Sequence, residues 1–446
     1  GVRTANVARL VAYELNKASG AFSAQTLATV VDASQSAPGV PLTFVRQFQQ
    51  SLEGRFTVGP FGRGWTHNWQ IEAEVDDGGH VEIHAGGATR FFARRPGGSY
   101  EGAPSDQAVL NRVNGIYRLV ESNGAVLAFN ADGSLNYLQD PNGNRVTASY
   151  SAGKLTRLTH SNGQFLTIGY NARGLIDRIT DPAGRVCTYG YDASGEFLTD
   201  FTDKYGTTHY SYLTGQANPA LNNALTRIAY ADDTHIHYRY DSQGRLVDQR
   251  RDNDQEAISY SYAAAGGYTI TDAVGGSSTY LVDDAGRIAR SIDPIGRVTS
   301  YTHDVHGNLT SVVGPLGASL TFTYDARGNR ASTTDPLGNV TQFTYDESRR
   351  LTSSTDARGN TTRYGHDGQG NLSSITYADG NSRRFQYDPL GNLVQSTNGR
   401  GQVLRSEHDT AGRLVKKIYE DNSTVTFAYD ARGNLIRAKD QAGGIT

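Results

Sequence analysis

The chain has 446 residues, 42 basic against 45 acidic, a net charge of −3 and no apolar run approaching the length of a membrane helix. Its charges are spread evenly, which excludes a basic face for nucleic acid, and its one cysteine, Cys187, excludes an internal disulfide. Fifty-one glycines, 26 tyrosines and no methionine suit a turn-dense β protein, and a chain opening on Gly1 without methionine reads as a processed or excised piece of something longer.

Residues 1–35 read as a lead-in segment. Val7, Leu10, Val11 and Leu15 fall on one side of a helix laid over residues 5–17, with weak caps that leave an unpaired lead-in equally open. No basic stretch followed by a continuous apolar core marks a cleavable signal peptide. From Gly39 the text changes, and residues 36–128 read as a capping region of short strands. Residues 41–48, with Arg46, alternate as a strand does. The block from Gly59 to Trp69 then holds both tryptophans, Trp65 and Trp69, among Gly62 and Gly64. Glycine crowding beside those rings predicts backbone passing closely over an aromatic. The same stretch lacks the Gly-Lys-Ser/Thr end of a phosphate loop and is not a strand-to-helix junction.

From Phe129 to the last residue the chain becomes an array. Marker glycines stand at Gly133, Gly153, Gly174 and Gly195; the gap to Gly244 carries a surplus of 7 residues near 215–223, which reads as a tolerated insertion or as a contact loop. From Gly286 the step is 21 through Gly307, Gly328, Arg349, Gly370, Gly391, Gly412 and Gly433, with Arg349 keeping phase where glycine is lost. The signature is legible at Tyr324-Asp325-x-x-Gly328-Asn329, Tyr345-Asp346, Tyr387-Asp388-x-x-Gly391-Asn392 and Tyr429-Asp430-x-x-Gly433-Asn434. A second Asp-x-x-Gly, such as Asp335 to Gly338, sits halfway through each unit. In both, Asp bonds an amide ahead of it and Gly takes the left-handed position, so each repeat is two short strands and two hairpin turns with a bulge. The last unit is cut in mid-repeat.

The strands alternate apolar with polar residues, and one face carries Phe322/Tyr324, Phe343/Tyr345, Tyr364/His366, Phe385/Tyr387 and Phe427/Tyr429. Stacked in register, these rings form ladders that read first as cross-strand packing and second as a surface for sugars or other ligands. His235 and His237 share a strand face at a spacing some zinc sites use. No third ligand stands at a related offset in the unit, so they read as structural. The aspartates are turn residues, no nucleophile-and-base arrangement exists, and neither an enzyme nor a cofactor or metal is expected. Some 30 strands at about 4.8 Å apart make a sheet too long to stay open, and it must coil around a lumen or a filling polypeptide.

The paired Tyr-Asp-x-x-Gly-Asn-Leu and Asp-Pro-x-Gly-Asn motifs resemble those of the Rhs/YD-repeat family. Arg46, Gly62, Gly64, Trp65 and Trp69 are similar to the block preceding the repeats in bacterial Rhs proteins. The resemblance implies an all-β chain whose long antiparallel sheet coils into a hollow shell. It implies a shell of a bacterial polymorphic toxin, secreted or at the cell surface, whose partners are its own C-terminal toxic domain and a secretion-system component or adaptor. The alternative it leaves is an adhesion or carbohydrate-binding surface like that of wall-associated proteins and teneurins. Family toxins often cut themselves at a boundary resembling Asp-Pro-x-Gly-Leu. Here Asp388-Pro389-Leu390-Gly391 runs on into Asn392, so any protease or toxin is expected outside this chain.

Overall fold

A computed structural model describes residues 26–85, 88–103, 106–263, 266–430, 433–441 and 443. The helix expected over residues 5–17 lies outside them. Among the described residues, thirty-two strands from Val109–Val113 to Leu435–Asp440 form one sheet in chain order, each antiparallel to the next. The sheet thus begins upstream of Phe129, with two strands whose connecting turn lacks the Tyr-Asp signature.

Each turn is built as its residues dictate. Asp325 N–H donates to the Asn329 carbonyl at 2.9 Å and Gly328 N–H to the Asp325 carbonyl at 3.0 Å; Asp335, Gly338 and Asn339 repeat both bonds at 3.0 Å. Gly328 sits at φ 80°, and Arg349 holds the equivalent position at φ 62°. The two turns nevertheless differ. A bulge follows the Tyr-Asp turn, where Thr323 pairs with Ser332 but Tyr324 with Arg330. The halfway turn continues without a further register shift, Thr334 opposite Val340 and Thr333 opposite Thr341; the expected glycine bulge stands in both turns, with Gly338 at φ 82°, and only the second bulge is confined to the Tyr-Asp side. Bulges on one rim bend and twist their strands more than the other rim's, which favours a coil over a flat ribbon.

The coil returns onto itself. Gln107 Nε2 donates to the Gly328 carbonyl (2.9 Å), Asn371 Nδ2 to Asn142 Oδ1 (2.8 Å), Asn144 Nδ2 to the Leu390 carbonyl (2.7 Å) and Asn162 Nδ2 to the Thr410 carbonyl (3.2 Å). Arg349 Nη1 donates to the Gln107 carbonyl at 2.7 Å. From Asn142 onward these contacts seat a Tyr-Asp turn of the later winding on a halfway turn of the earlier one. In sheet order the partners lie about 22 strands apart, roughly 100 Å of circumference. That exceeds the strand number at which barrels keep an open channel.

A cap fills part of this space. Thr26–Gln35, within the lead-in, pairs with Leu42–Gln49, which pairs with Trp65–His67. Between them Leu52–Phe56 is a short helix whose first turn is capped by Ser51 Oγ, accepting from Gly54 N–H at 3.0 Å. Leu42, Phe44, Phe48, Phe61 and Trp65 are fully buried, and they join one core with Leu158, Ile179, Tyr189, Phe201, Tyr210 and Tyr238 of the array. The cap meets the array from the turn at Asp140 and Asn144, beside Gly39, to the turn at Gly244, whose carbonyl accepts from Arg55. Laid flat, the strands between would spread over about 40 Å. So compact a cap reaches them all only because this face of the sheet is concave.

Candidate functional site

The Tyr-Asp signature is an interlock. Asp325 Oδ1 accepts from the Arg327 and Asn329 amides, and its Oδ2 accepts from Asn329 Nδ2, all at 2.9 Å. Arg substitutes for this asparagine without loss: Arg350 Nε donates to Asp346 Oδ2 and Arg413 Nε to Asp409 Oδ2, both at 2.7 Å. Asp388 with Asn392 and Asp430 with Asn434 repeat the interlock beside Gly391 and Gly433. In the halfway turn the Asn339 side chain and amide hold the Asp335 carboxyl below the ordinary carboxylate range.

The signature tyrosine ties each unit to the one before. Its hydroxyl donates to the carbonyl that follows the previous interlock: Tyr324 to Leu309 (2.6 Å), Tyr345 to Arg330 (3.0 Å), Tyr387 to Leu372 (3.0 Å) and Tyr429 to Leu414 (2.8 Å). Burial pushes the Tyr324, Tyr345 and Tyr387 phenols up. Asp325→Ala removes three hydrogen bonds at one turn and is expected to cost about 1–2 kcal/mol locally. Hydrogen exchange at the Arg327 and Asn329 amides checks it: roughly tenfold faster exchange there, with distant repeats unchanged.

The ladder faces inward. Tyr189, Tyr210 and Tyr212 lie against the cap, and the same register places Phe322, Phe343 and Phe385 on the concave side further along. Past Leu246–Arg251 this wall is half-buried. Near its far end is a cavity of about 820 Å³ lined by Arg383, Ser396, Asn398, Leu404, Tyr419 and Asp421.

Where the cap meets the ladder, every residue singled out in the Gly59–Trp69 block has a contact. Arg46 lies at the centre. Its guanidinium makes a two-point pair with Asp32 (3.0 and 3.1 Å), donates to the Tyr210 hydroxyl (3.1 and 3.2 Å), and stacks 4.5 Å from Trp65 and 4.9 Å from Phe201. Neither charged side chain is exposed. Tyr189 donates to Asp32 Oδ2 at 2.8 Å. Burial opposes the Arg46 charge, but Asp32 with the Tyr210 and Tyr189 hydroxyls together more than offset it and the pKa rises. Trp65 Nε1 donates to Tyr212 (2.7 Å), whose own hydroxyl donates to Leu198, so the cap is bonded to a signature tyrosine; Trp69 Nε1 closes back on Thr43. A Cβ on Gly64 would lie 2.4 Å from the Phe48 ring and one on Gly62 2.5 Å from the Glu196 carbonyl, both at positive φ. Glycine crowding therefore serves one ring contact and one backbone contact.

Arg55 Nη2 donates to the Ala220 carbonyl at 3.1 Å and the Gly244 carbonyl at 2.9 Å, so the surplus loop docks on the cap. Cys187 is a buried thiol, pushed up to about 11 by burial. Asp32 was not legible as the partner of Arg46, because a single aspartate in an unpatterned segment gives no spacing to read.

On the convex face, the absence of a third ligand near His235 and His237 is overturned. Asp252 stands 3.0 Å from His235 Nδ1 and 3.3 Å from His237 Nε2. His366 and His408 keep the positions of signature tyrosines, each opposite a leucine across its bulge.

No curated protein matches the chain. Residues 264–446 match the teneurin YD-shell family, and residues 16–92 match a domain of unknown function (DUF6531). The crystal structure of TcdB2-TccC3 without its hypervariable C-terminal region aligns over 92% of this chain and 26% of that one, at 12% identity and a TM-score of 0.52. The Photorhabdus luminescens Tc holotoxin pore aligns over 93% and 26%, at 12% identity and a TM-score of 0.43. The chain thus spans about a quarter of the length of these structures. The first comparison shows a shared fold, and the repeat it winds is the one matched over residues 264–446. Residues 264–446 thus carry the YD-shell repeat, on the fold shared with that structure.

Proposed function

We propose that this chain is the capped part of a shell enclosing further polypeptide of the same protein, a C-terminal toxic domain delivered from a bacterium by a secretion apparatus. The chain has no chemistry of its own in this reading. One observation carries it: the aromatic ladder lines the concave side, sealed by the cap as far as Leu246–Arg251 and uncovered by it beyond. A wall of half-buried rings around a lumen suits an enclosed chain with exposed apolar side chains. It suits an external glycan less, because the rings do not face outward. The TcdB2-TccC3 structure, named as lacking a hypervariable C-terminal region, supports the same arrangement by analogy of fold. Among the described residues no helix is long and apolar enough to cross a membrane.

The test is limited proteolysis of the natively purified protein, followed by intact-mass spectrometry. A C-terminal polypeptide that resists protease until the sheet is denatured is expected. A native protein ending with this array, or one whose C-terminal part is digested at once, overturns the reading, and glycan-array binding would replace it with adhesion.

A further inference from the structure

We propose that His235, His237 and Asp252 form a binding site for a divalent transition-metal ion, zinc before others, on the convex face of the sheet. The inference stands apart from the encapsulation reading. His235 and His237 alternate along the strand His235–Tyr240 and point away from Ile236, Tyr238 and Tyr240, which pack with the core. Asp252 opens the short 3-10 turn Asp252–Asp254, after the strand Leu246–Arg251 that pairs with the histidine strand.

The carboxylate is available because this turn departs from the repeat. In a regular halfway turn the aspartate is first, and its oxygens are spent on the turn's own amides, as at Asp335. Here Arg251 holds the first position, its N–H donating to the Gln255 carbonyl, and the aspartate stands one residue later. Asp252 therefore turns across the strand: Oδ2 accepts from the His235 amide at 2.8 Å, and both oxygens meet the imidazoles. Asn253, Asp254 and Glu256 all lie at positive φ, so three residues are held in left-handed conformations to set it there.

The donor geometry suits a small ion. Tetrahedral ligands at about 2.1 Å from zinc lie about 3.4 Å from one another. The carboxylate-to-imidazole separations are 3.0 and 3.3 Å, and all three donor atoms lie within 4.8 Å of one another. Two imidazoles and one carboxylate are a borderline set that favours zinc over magnesium or calcium, and the side chains are part-exposed, leaving room for a water as fourth ligand. Of the neighbouring cations, Arg250 is engaged by Asp248 and Asp254, and Arg251 by Glu256. Arg227, cross-strand from His237, opposes binding and lowers the affinity.

The test uses the untagged full-length chain. Calorimetric titration with Zn²⁺ in a non-coordinating buffer is expected to show one equivalent with micromolar Kd. Zn²⁺ should also protect His235 and His237 of the wild-type protein from carbethoxylation, read by peptide mass spectrometry. Asp252→Asn and His237→Ala should each weaken binding by at least about tenfold. His209→Ala, whose ring meets the single carboxylate of Asp200, should leave it unchanged. No binding by the wild type, equal binding by Asp252→Asn, or carbethoxylation of both histidines unaffected by Zn²⁺ would each sink the proposal.

Discussion

Arg46→Ala is expected to detach the cap from the array. The substitution leaves Asp32 buried with only the Tyr189 hydroxyl as a side-chain partner, and it empties the space between Trp65, Phe201 and Tyr210. Breaking a buried ion pair from one side costs about 3–5 kcal/mol, because the remaining charge cannot be solvated. Both tryptophans lie in the cap, so their fluorescence during denaturation reports this unit above all. The cap transition should move to much lower denaturant while far-UV circular dichroism of the sheet persists. Replacing the pair together, Arg46→Met with Asp32→Leu, should recover most of the loss, since apolar groups of similar volume need no counter-charge. An unchanged tryptophan transition in Arg46→Ala would show that the cage is not what holds the cap.

His67 supplies the second large effect. Its ring is buried, stacked 4.8 Å from Phe44, and Nδ1 accepts from the Trp69 amide at 3.2 Å, so the neutral ring carries its proton on Nε2. Burial pushes its pKa down from 6.5 to about 3. The unfolded chain therefore takes up a proton that the folded one refuses. Stability linked to His67 is complete above about pH 6.5 and declines as the pH falls toward 3, by about 1.4 kcal/mol per unit and roughly 4 kcal/mol across the window. The turn aspartates also lose stability in acid, so the informative quantity is the difference from His67→Gln. The variant, unable to titrate here, should show the shallower decline of cap stability between pH 6.5 and 4. Parallel profiles would mean that the ring is protonated, and accommodated, in the folded protein.

The parts legible in the sequence are those governed by neighbours in the chain. Asp325 and Gly328 lie within one turn, and Phe322 alternates with Tyr324 along one strand, so period and turn chemistry disclosed them. The role of Asn329, and of Arg350 in its place, is equally local, but it becomes visible only when the side chain is seen to close on the aspartate. What the sequence withheld depends on closure. Which face holds Phe322 follows from the direction of coiling, and that is the sum of small twists over many strands. The contacts of Asn144 with Leu390 and of Gln107 with Gly328 join turns with no shared pattern. Asp252 escaped because its turn is shifted by one residue, so that counting from the repeat places the aspartate out of phase with the histidines it meets.

In an array where each unit touches only its neighbours, a unit can be gained or lost with little effect on the rest. The seating of Asn144 on Leu390 and of Asn142 against Asn371 removes that freedom for the stretch between them. One unit gained or lost there would slide the later winding by two strands, which keeps a Tyr-Asp turn opposite each halfway turn but exchanges the side chains that meet across every seat. Units added after the last seat would disturb nothing already laid down. Copy number should therefore be held fixed within the first winding and be free to drift toward the C-terminal end, so that the length of the protein is set by its closing circumference before it is set by its content.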